Sequence, residues 1–582
     1  MSSNKTAPPA ARQREVFSNR TVFILAAMGS AIGLGNIWRF PYVAYENGGG
    51  AFMVPYLIAL LSAGLPLLML DYAVGHRYRA SAPLSYRRLH PKAEFLGWWQ
   101  LCICFVIAAY YAVIIAWAGS YTIFSVTQAW GDDPEGFFMG QYLQVAEDVG
   151  LGFDFVPQVL LGLALVWIVL LIVMALGVQR GIGRFNVIFM PLLVIMFAVM
   201  VIMALTLDGA AAGLDALFTP DWSALGNSAV WMAAYGQIFF SLSVGFGIMV
   251  TYASYLKRKS DLTSTALVVG FANSSFEILA GIGVFAALGF MAAASGVGVS
   301  EVVSGGIGLA FIAFPTIISQ APLGALLGVL FFGALTFAGF TSLISIVEVI
   351  IAGIQDKLGL NRVAGTLAVI IPLAAASLLL FPTTTGLNLL DVTDAFVNNF
   401  GIMAAALVCV ILLTAGLSAL PGLRDHLNAV SAFKVGRTWM ILLGGVVTVV
   451  LGYSLIGQLT TVLSEGYGDF PGWYVATFGW GMAISLVVIS VIIAKVPWSQ
   501  RSRGAQPSPA LPVLDPGVDR KYMTTGSLAT ITSTSVRDGS PWDDRDAAAT
   551  PEPWSAEAES APSTGRHVAT EAETTAGKEG NR

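Results

Sequence analysis

Apolar residues run along this chain in long stretches instead of alternating with polar ones. A helix that crosses a bilayer needs about 20 mostly apolar residues. Twelve stretches reach that length: 20–44, 50–79, 95–128, 156–176, 182–207, 230–256, 261–293, 322–356, 361–380, 388–416, 437–463 and 473–496. The pattern predicts an all-α polytopic membrane protein. Segment 294–321 is apolar but interrupted by glycine, and reads as a helical loop outside the bilayer. From Pro497 onward large apolar residues give way to Pro, Ser, Thr, Ala, Asp and Glu. Such a tail cannot bury enough surface to offset its chain entropy, so 497–582 is expected to be disordered. A regulatory tail and an unstructured appendage are equally compatible with it.

Composition agrees with the pattern. The 582 residues are 56% hydrophobic and 11% charged, against about 25% charged in soluble chains. Mean hydropathy is +0.74. The net charge of −5 says little about partners, because the charge is unevenly placed. Lys and Arg collect in cytoplasmic loops. Here they precede span one (Arg12, Arg14, Arg20) and follow spans two (Arg77, Arg79, Arg87, Arg88, Lys92), four (Arg180, Arg184), six (Lys257, Arg258, Lys259), eight (Lys357, Arg362) and ten (Arg424, Lys434, Arg437). The intervening loops carry acids instead, among them Asp132, Asp133, Asp208, Asp215, Asp221 and Glu465. This places both termini in the cytoplasm. The first apolar run, near Val22, is glycine-rich and is not expected to be a cleaved signal. His76, His90, His426 and His567 read as lying outside the apolar runs, which argues against a histidine proton relay. Cys102, Cys104 and Cys409 lie within apolar runs and read as packing residues. There is no phosphate-binding loop and no Ser–His or Cys–His pairing, so no enzyme is expected.

Two spans carry glycine pairs at mid-depth: Gly33-Leu34-Gly35 in span one and Gly245-Phe246-Gly247 in span six. Glycine costs about 1 kcal/mol relative to alanine inside a helix. Close helix packing uses glycine too, so the pairs alone do not choose between packing and unwinding. Unwound backbone at membrane depth is tolerated where it lines a cavity. Interrupted segments at matching places in two halves point to a transporter site.

The polar flanks carry a resemblance. Asn36-Ile37-Trp38-Arg39-Phe40-Pro41-Tyr42, followed by Glu46-Asn47-Gly48-Gly49-Gly50-Ala51-Phe52, resembles the first-span signature of the neurotransmitter:sodium symporters. Gly236-Gln237-Ile238-Phe239-Phe240-Ser241-Leu242-Ser243 and Thr251-Tyr252-Ala253-Ser254-Tyr255 resemble the sixth span, and Ala338-Gly339-Phe340-Thr341-Ser342 the eighth. The likeness covers residues 14 to 496. It implies the leucine-transporter type of fold. Two inverted five-span repeats (20–207 and 208–416), with spans one and six broken, would be followed by two further spans (417–496) and preceded by a cytoplasmic segment (1–19).

The resemblance also implies roles. The first of two sodium ions would lie among the carbonyls of Ala31 and Ser241, the side chains of Asn36, Ser241 and Asn273, and the substrate carboxylate. The second would lie among the carbonyls of Gly29, Ile32 and Ala338 and the hydroxyls of Thr341 and Ser342. Both sets are all-oxygen, as suits a hard cation. On the residues alone, Thr341 and Ser342 read as back-bonded to their own helix. An amino-acid carboxylate would meet Gly33, Leu34, Gly35 and Tyr111. Its ammonium would meet carbonyls of Ala31, Phe240 and Ser241 and the Ser243 hydroxyl. Ile107, Phe240, Phe246, Ser243, Ser342 and Ile346 would hold its side chain. Monoamine-carrying members have Asp at the position of Gly33, so the expected substrate is a neutral amino acid with an apolar side chain.

Arg39, read as the sole basic residue within the spans, would pair with Asp394 as the outer gate under a lid of Tyr111 and Phe246. Arg14, Asp356 and Tyr255 would form the inner gate. Chloride-dependent members have Ser where this chain has Glu277. An ionised Glu277 would supply the charge that chloride supplies there, implying chloride-independent transport and a proton returned through Glu277. The expected setting is a bacterial inner membrane. A neutral amino acid and lipid are the expected partners, nucleic acid is not, and a dimer fits the resemblance. A sodium-linked amino-acid sensor that does not transport is the alternative, and a sodium channel a third reading that the paired gates disfavour.

Overall fold

A computed structural model describes residues 15–499 of the chain. The expected gate residue Arg14, the N-terminal segment before residue 15 and the tail beyond residue 499 lie outside the described residues.

The chain folds into helices in the expected order. Span one is two helices, α1 (Arg20–Ala31) and α2 (Leu34–Glu46), bent by 55°. Then come α3 (Gly50–Tyr78), the short α4 (Ala82–Leu89), α5 (Pro91–Thr127), α6 (Pro157–Ala175) and α7 (Val178–Leu205). A short α8 (Ala210–Phe218) leads to span six, again two helices, α9 (Ser228–Ser241) and α10 (Ile248–Ala253). The remainder is α11 (Leu262–Ser295), α12 (Gly306–Gln320), α13 (Gly324–Leu358), α14 (Arg362–Leu380), α15 (Gly386–Gly416), α16 (Leu420–Val430), α17 (Arg437–Glu465) and α18 (Gly472–Lys495). Among the described residues, ten helices are long and apolar enough to cross a membrane, and the bent pair makes an eleventh. The twelfth expected span is the α9–α10 pair, whose halves are each too short to cross alone. The glycine-rich segment after α11 forms α12, as expected of a helical loop.

Burial separates core spans from peripheral ones. The most apolar windows of α5 and α13 are 78% and 83% buried, whereas those of α17 and α18 are 22% and 17% buried. Isoleucines such as Ile456 and Ile492 stand outward on these last two helices. An apolar face that looks outward suits lipid, where helices gain little from hiding it.

Several charged residues are more buried than the sequence reading allowed. Arg39 is not the only basic residue set into the spans. Lys357, at the end of α13, is buried against Glu94 at 2.7 Å. Arg362 pairs with the fully buried Glu348 at 2.8 Å. Glu94 also accepts bonds from the Trp98 indole (3.0 Å) and from Trp498 beyond α18 (2.9 Å), and pairs with Arg87. Buried ions persist only when paired and hydrogen-bonded. The histidine reading also needs correction. His76 lies in α3 and is buried, with one ring nitrogen 2.9 Å from His426 Nε2 and the other 3.0 Å from the Lys257 carbonyl. The expected span 50–79 already reached past it, and the helix runs on to Tyr78. The three cysteines are free, as expected of packing residues.

Burial, with His76 and Arg77 nearby, pushes the His426 imidazole down to about 3. The unfolded value is about 6.5, so the unfolded chain takes up a proton that the folded chain refuses as pH falls. Stability from this group is therefore full above pH ~6.5 and is lost between there and pH ~3. Melting temperatures of the detergent-solubilised protein should fall across that window, and less steeply in His426→Gln. Parallel slopes would show that the pair does not control the acid limb.

Candidate functional site

The two breaks have different lengths, for a backbone reason. In span one the helix stops at Ala31, and Ile32 and Gly33 are extended before α2 restarts. In span six all of Leu242–Gly247 is non-helical. Ser243, Gly245 and Gly247 there have φ of +53°, +87° and +85°. Left-handed backbone is easy for glycine and costly for serine. Ser243 is held there by its hydroxyl, which donates to the Ser30 carbonyl at 3.0 Å across the two breaks.

Gln100 and Asp71, absent from the sequence reading, and Cys104, read there as a packing residue, fix the span-six loop. Gln100 Nε2 donates to the Gly245 carbonyl at 2.8 Å, and the Gly245 N–H reaches Asp71 Oδ2 at 3.4 Å. Cys104 Sγ donates to the Phe246 carbonyl at 3.4 Å. Asp71 and Gln100 sit inside apolar runs, where one polar residue barely changes the pattern. Only the fold reveals that each faces exposed peptide groups.

Between the breaks lies a cavity of about 760 Å³. All twelve residues expected to touch substrate line it. A β-carbon on Gly33 would lie 3.0 Å from the Tyr111 hydroxyl and 3.4 Å from Ser342 Oγ, so glycine keeps the centre open. Gly35 packs under Phe240, where a β-carbon would come within 2.2 Å of the ring. The first N–H groups of a helix have no intrahelical partner and favour anions. Here the Leu34 N–H donates to Tyr111 at 3.3 Å and the Gly33 N–H to Asn36 Oδ1 at 2.9 Å. An incoming carboxylate would share or displace these two bonds. Asn36 as the cap of its own helix was not anticipated.

The expected first ion set meets in one chain of contacts. Asn36 Nδ2 donates to Asn273 Oδ1 at 2.9 Å, and Asn273 Nδ2 donates to Ser241 Oγ at 3.0 Å. All three are buried. One turn along α11, Glu277 is fully buried and accepts from Gln237 at 2.6 Å and from the Tyr56 hydroxyl. The expected second set lies between α1 and α13. A β-carbon on Gly29 would lie 3.1 Å from Thr341 Cβ. Ser342 Oγ reaches the Ser30 carbonyl at 3.4 Å. The Thr341 hydroxyl donates back to Phe337 and Ala338 carbonyls, each at 3.0 Å. The back-bonded arrangement is therefore present, and it leaves the oxygen lone pairs free for a cation. Ser345 and Ser30, joined at 2.8 Å, are further hydroxyls that the motifs did not single out. Neither set contains nitrogen or sulfur ligands, which suits sodium.

The two expected gate regions differ in their contacts. Arg39 and Asp394 both line the cavity, yet among the described residues no ion pair joins them. The Arg39 guanidinium lies 4.8 Å from the Phe240 ring centre, a cation–π contact, and Asp394 accepts from Asn398 at 2.8 Å. Segment 305–308 also lines this end, on the side that the loop charges assign to the exterior. The opposite end is closed. The Phe17 N–H bonds the Tyr255 carbonyl at 3.0 Å, and the Tyr255 hydroxyl bonds Glu348 at 2.6 Å. Asp356 accepts from the Ser81 N–H at 2.9 Å. The cavity thus lies on the Arg39–Asp394 side, and Phe17, Tyr255 and Glu348 pack together at the opposite end.

Comparison with known proteins agrees with this architecture. The Sodium:neurotransmitter symporter family matches residues 14–133 and 130–500. A sodium-dependent transporter of Methanocaldococcus jannaschii, MJ1319, is 42% identical over 83% of this chain and 98% of its own length. The sodium- and chloride-dependent glycine transporter 1 of Xenopus laevis is 27% identical over 82% of this chain and 83% of its own. The crystal structure of MhsT in complex with L-phenylalanine superposes with a TM-score of 0.65 at 31% identity, covering 76% of this chain and 99% of that one. Together with the broken spans and the cavity between them, these likenesses establish that the chain belongs to the sodium:neurotransmitter symporter family.

Proposed function

We propose that this sodium-dependent symporter imports neutral L-amino acids with apolar side chains, coupled to two sodium ions and independently of chloride. The carrying observation is the inner end of the cavity. Gly33 leaves space and no charge beside Tyr111, and Ile107, Phe246 and Ile346 supply apolar walls. A charged substrate side chain would be buried there without a partner, at high cost. A substrate carboxylate would approach the start of α2, completing the first sodium set. Its ammonium would find the Ser243 oxygen, whose proton is already committed to Ser30. Substrate and sodium thus need one another, which is the physical content of coupling. The phenylalanine bound by MhsT is consistent with an apolar side-chain pocket.

A tenfold sodium gradient supplies about 1.4 kcal/mol per ion. A potential of about 100 mV adds roughly 2.3 kcal/mol per charge. Two ions could then supply about 7 kcal/mol. We place the protein in a cytoplasmic membrane with both termini inside, from the loop charges. Binding should favour closure of Arg39 onto Asp394, followed by opening of the Tyr255–Glu348 side.

Glu277 supports the chloride reading. Its carboxylate is held by Tyr56 and Gln237 one turn from the first sodium set, so its ionised form would supply a negative charge where an anion would be needed. When sodium leaves, that charge loses its counter-ion, and taking up a proton for the return step would neutralise it.

Proteoliposomes with an inward sodium gradient should accumulate labelled leucine, tryptophan or alanine, equally with chloride or gluconate, and not under a potassium gradient. Sodium-dependent binding without accumulation would instead identify a sensor. Glu277→Ser should make uptake depend on chloride, by about tenfold or ~1.4 kcal/mol. Equal uptake with and without chloride in that variant would remove Glu277 from charge balance. Gly33→Asp fills the substrate space and should lower amino-acid uptake by at least about tenfold, ~1.4 kcal/mol, with normal sodium-induced stabilisation. Undiminished uptake would misplace the carboxylate site.

A further inference from the structure

Asn186 lies in α7, a helix that contributes nothing to either expected sodium set. It follows a π-helical turn, Val178–Gly183, by three residues. Wide turns of this kind often mark functional positions. The side chain is completely buried. Its Nδ2 donates to the Ile182 carbonyl at 2.9 Å, which fixes the orientation of the amide. The other end, Oδ1, is buried and has no hydrogen-bond partner among the described residues. Leaving such an acceptor dry and unpaired is unfavourable, and rotating the amide would strand its NH2 group instead.

The direction of that oxygen is informative. A β-carbon on Gly29 would lie 2.1 Å from Asn186 Oδ1 and 3.1 Å from Thr341 Cβ. The amide oxygen, Gly29 and Thr341 therefore meet at one point between α1, α7 and α13. Glycine is required there, because any side chain would displace the oxygen. Gly29 and Thr341 belong to the second sodium set. A hard cation takes amide oxygen readily, and several oxygens are needed to replace its water.

We propose that Asn186 Oδ1 is a further oxygen donor to the second sodium ion, so that α7 is tied to α1 and α13 when the ion is bound. The inference rests on the second sodium site proposed above. It explains both the orphaned oxygen and the glycine beside it. Sodium departure would release α7 from the last turn of α1, beside the break.

The test uses the purified full chain and sodium alone. Melting temperature is followed against sodium concentration, with choline keeping ionic strength constant, in the natural chain and in Asn186→Leu, Asn186→Asp and Thr341→Ala. Asn186→Leu keeps an apolar fit but lacks the oxygen. It should raise half-stabilising sodium about five- to tenfold, about 1–1.4 kcal/mol. Asn186→Asp restores an oxygen and should stay within about twofold of the natural chain or bind more tightly. If Asn186→Leu does not yield folded protein, Asn186→Ser is judged by the same shift. An unshifted titration beside a shifted Thr341→Ala would overturn the role of Asn186 and leave the second site intact. If Thr341→Ala is unshifted as well, the second-site reading fails and this inference with it. Equal destabilisation in choline and in sodium for all Asn186 variants would reduce Asn186 to a packing residue.

Discussion

Backbone hydrogen bonding at membrane depth is the constraint on which the rest of this structure depends. A helix that breaks inside a bilayer exposes peptide groups to surroundings that offer no water. This chain breaks two spans, and each break must find partners inside the protein. Ser243 joins the breaks through Ser30, Asn36 and Tyr111 take the first N–H groups of α2, and Gln100 and Asp71 hold Gly245. What is left over defines the cavity.

The same logic arranges the charges. Carboxylates within the bundle stand at junctions between packed elements. Glu277 lies behind the first ion set, Asp71 behind the span-six loop, Glu348 behind Tyr255, and Glu94 beneath Lys357 and Trp498. Ion pairs to Glu94 and Glu348, and hydrogen bonds to Asp71 and Glu277, let each stay buried, and breaking a buried pair is costly. Among the described residues no ion pair joins Arg39 and Asp394.

Packing of the two broken spans against α5, α11 and α13 gives the site rigid walls. Gly29, Gly33 and Gly35 each face a neighbour that a side chain would strike. Their lack of a β-carbon therefore matters as much as their flexibility. Small residues let helices approach where apolar burial between helices gains little in lipid. The outermost helices α17 and α18 are largely exposed, although Gly479 of α18 still packs closely against Phe396.

The spans and their order were legible in the sequence, because twenty apolar residues in a row are a local property, whereas the glycine pairs became readable as breaks only through the polar motifs that flank them. The motif residues of the site were legible through resemblance, since they lie in contiguous stretches around those breaks. Tertiary structure decided the rest. His76 read as lying outside the apolar runs, and only packing against His426 shows it buried. Asp71, Gln100, Ser30, Ser345 and Asn186 carry no local signal, because one polar residue in an apolar run looks alike whether it faces lipid, a neighbour or an ion. The length of the span-six break was likewise invisible, since it depends on Ser243 adopting left-handed backbone held by a carbonyl from another helix. Sequence determines where a helix is weak. Which groups then converge on the weak point is set by partners hundreds of residues away.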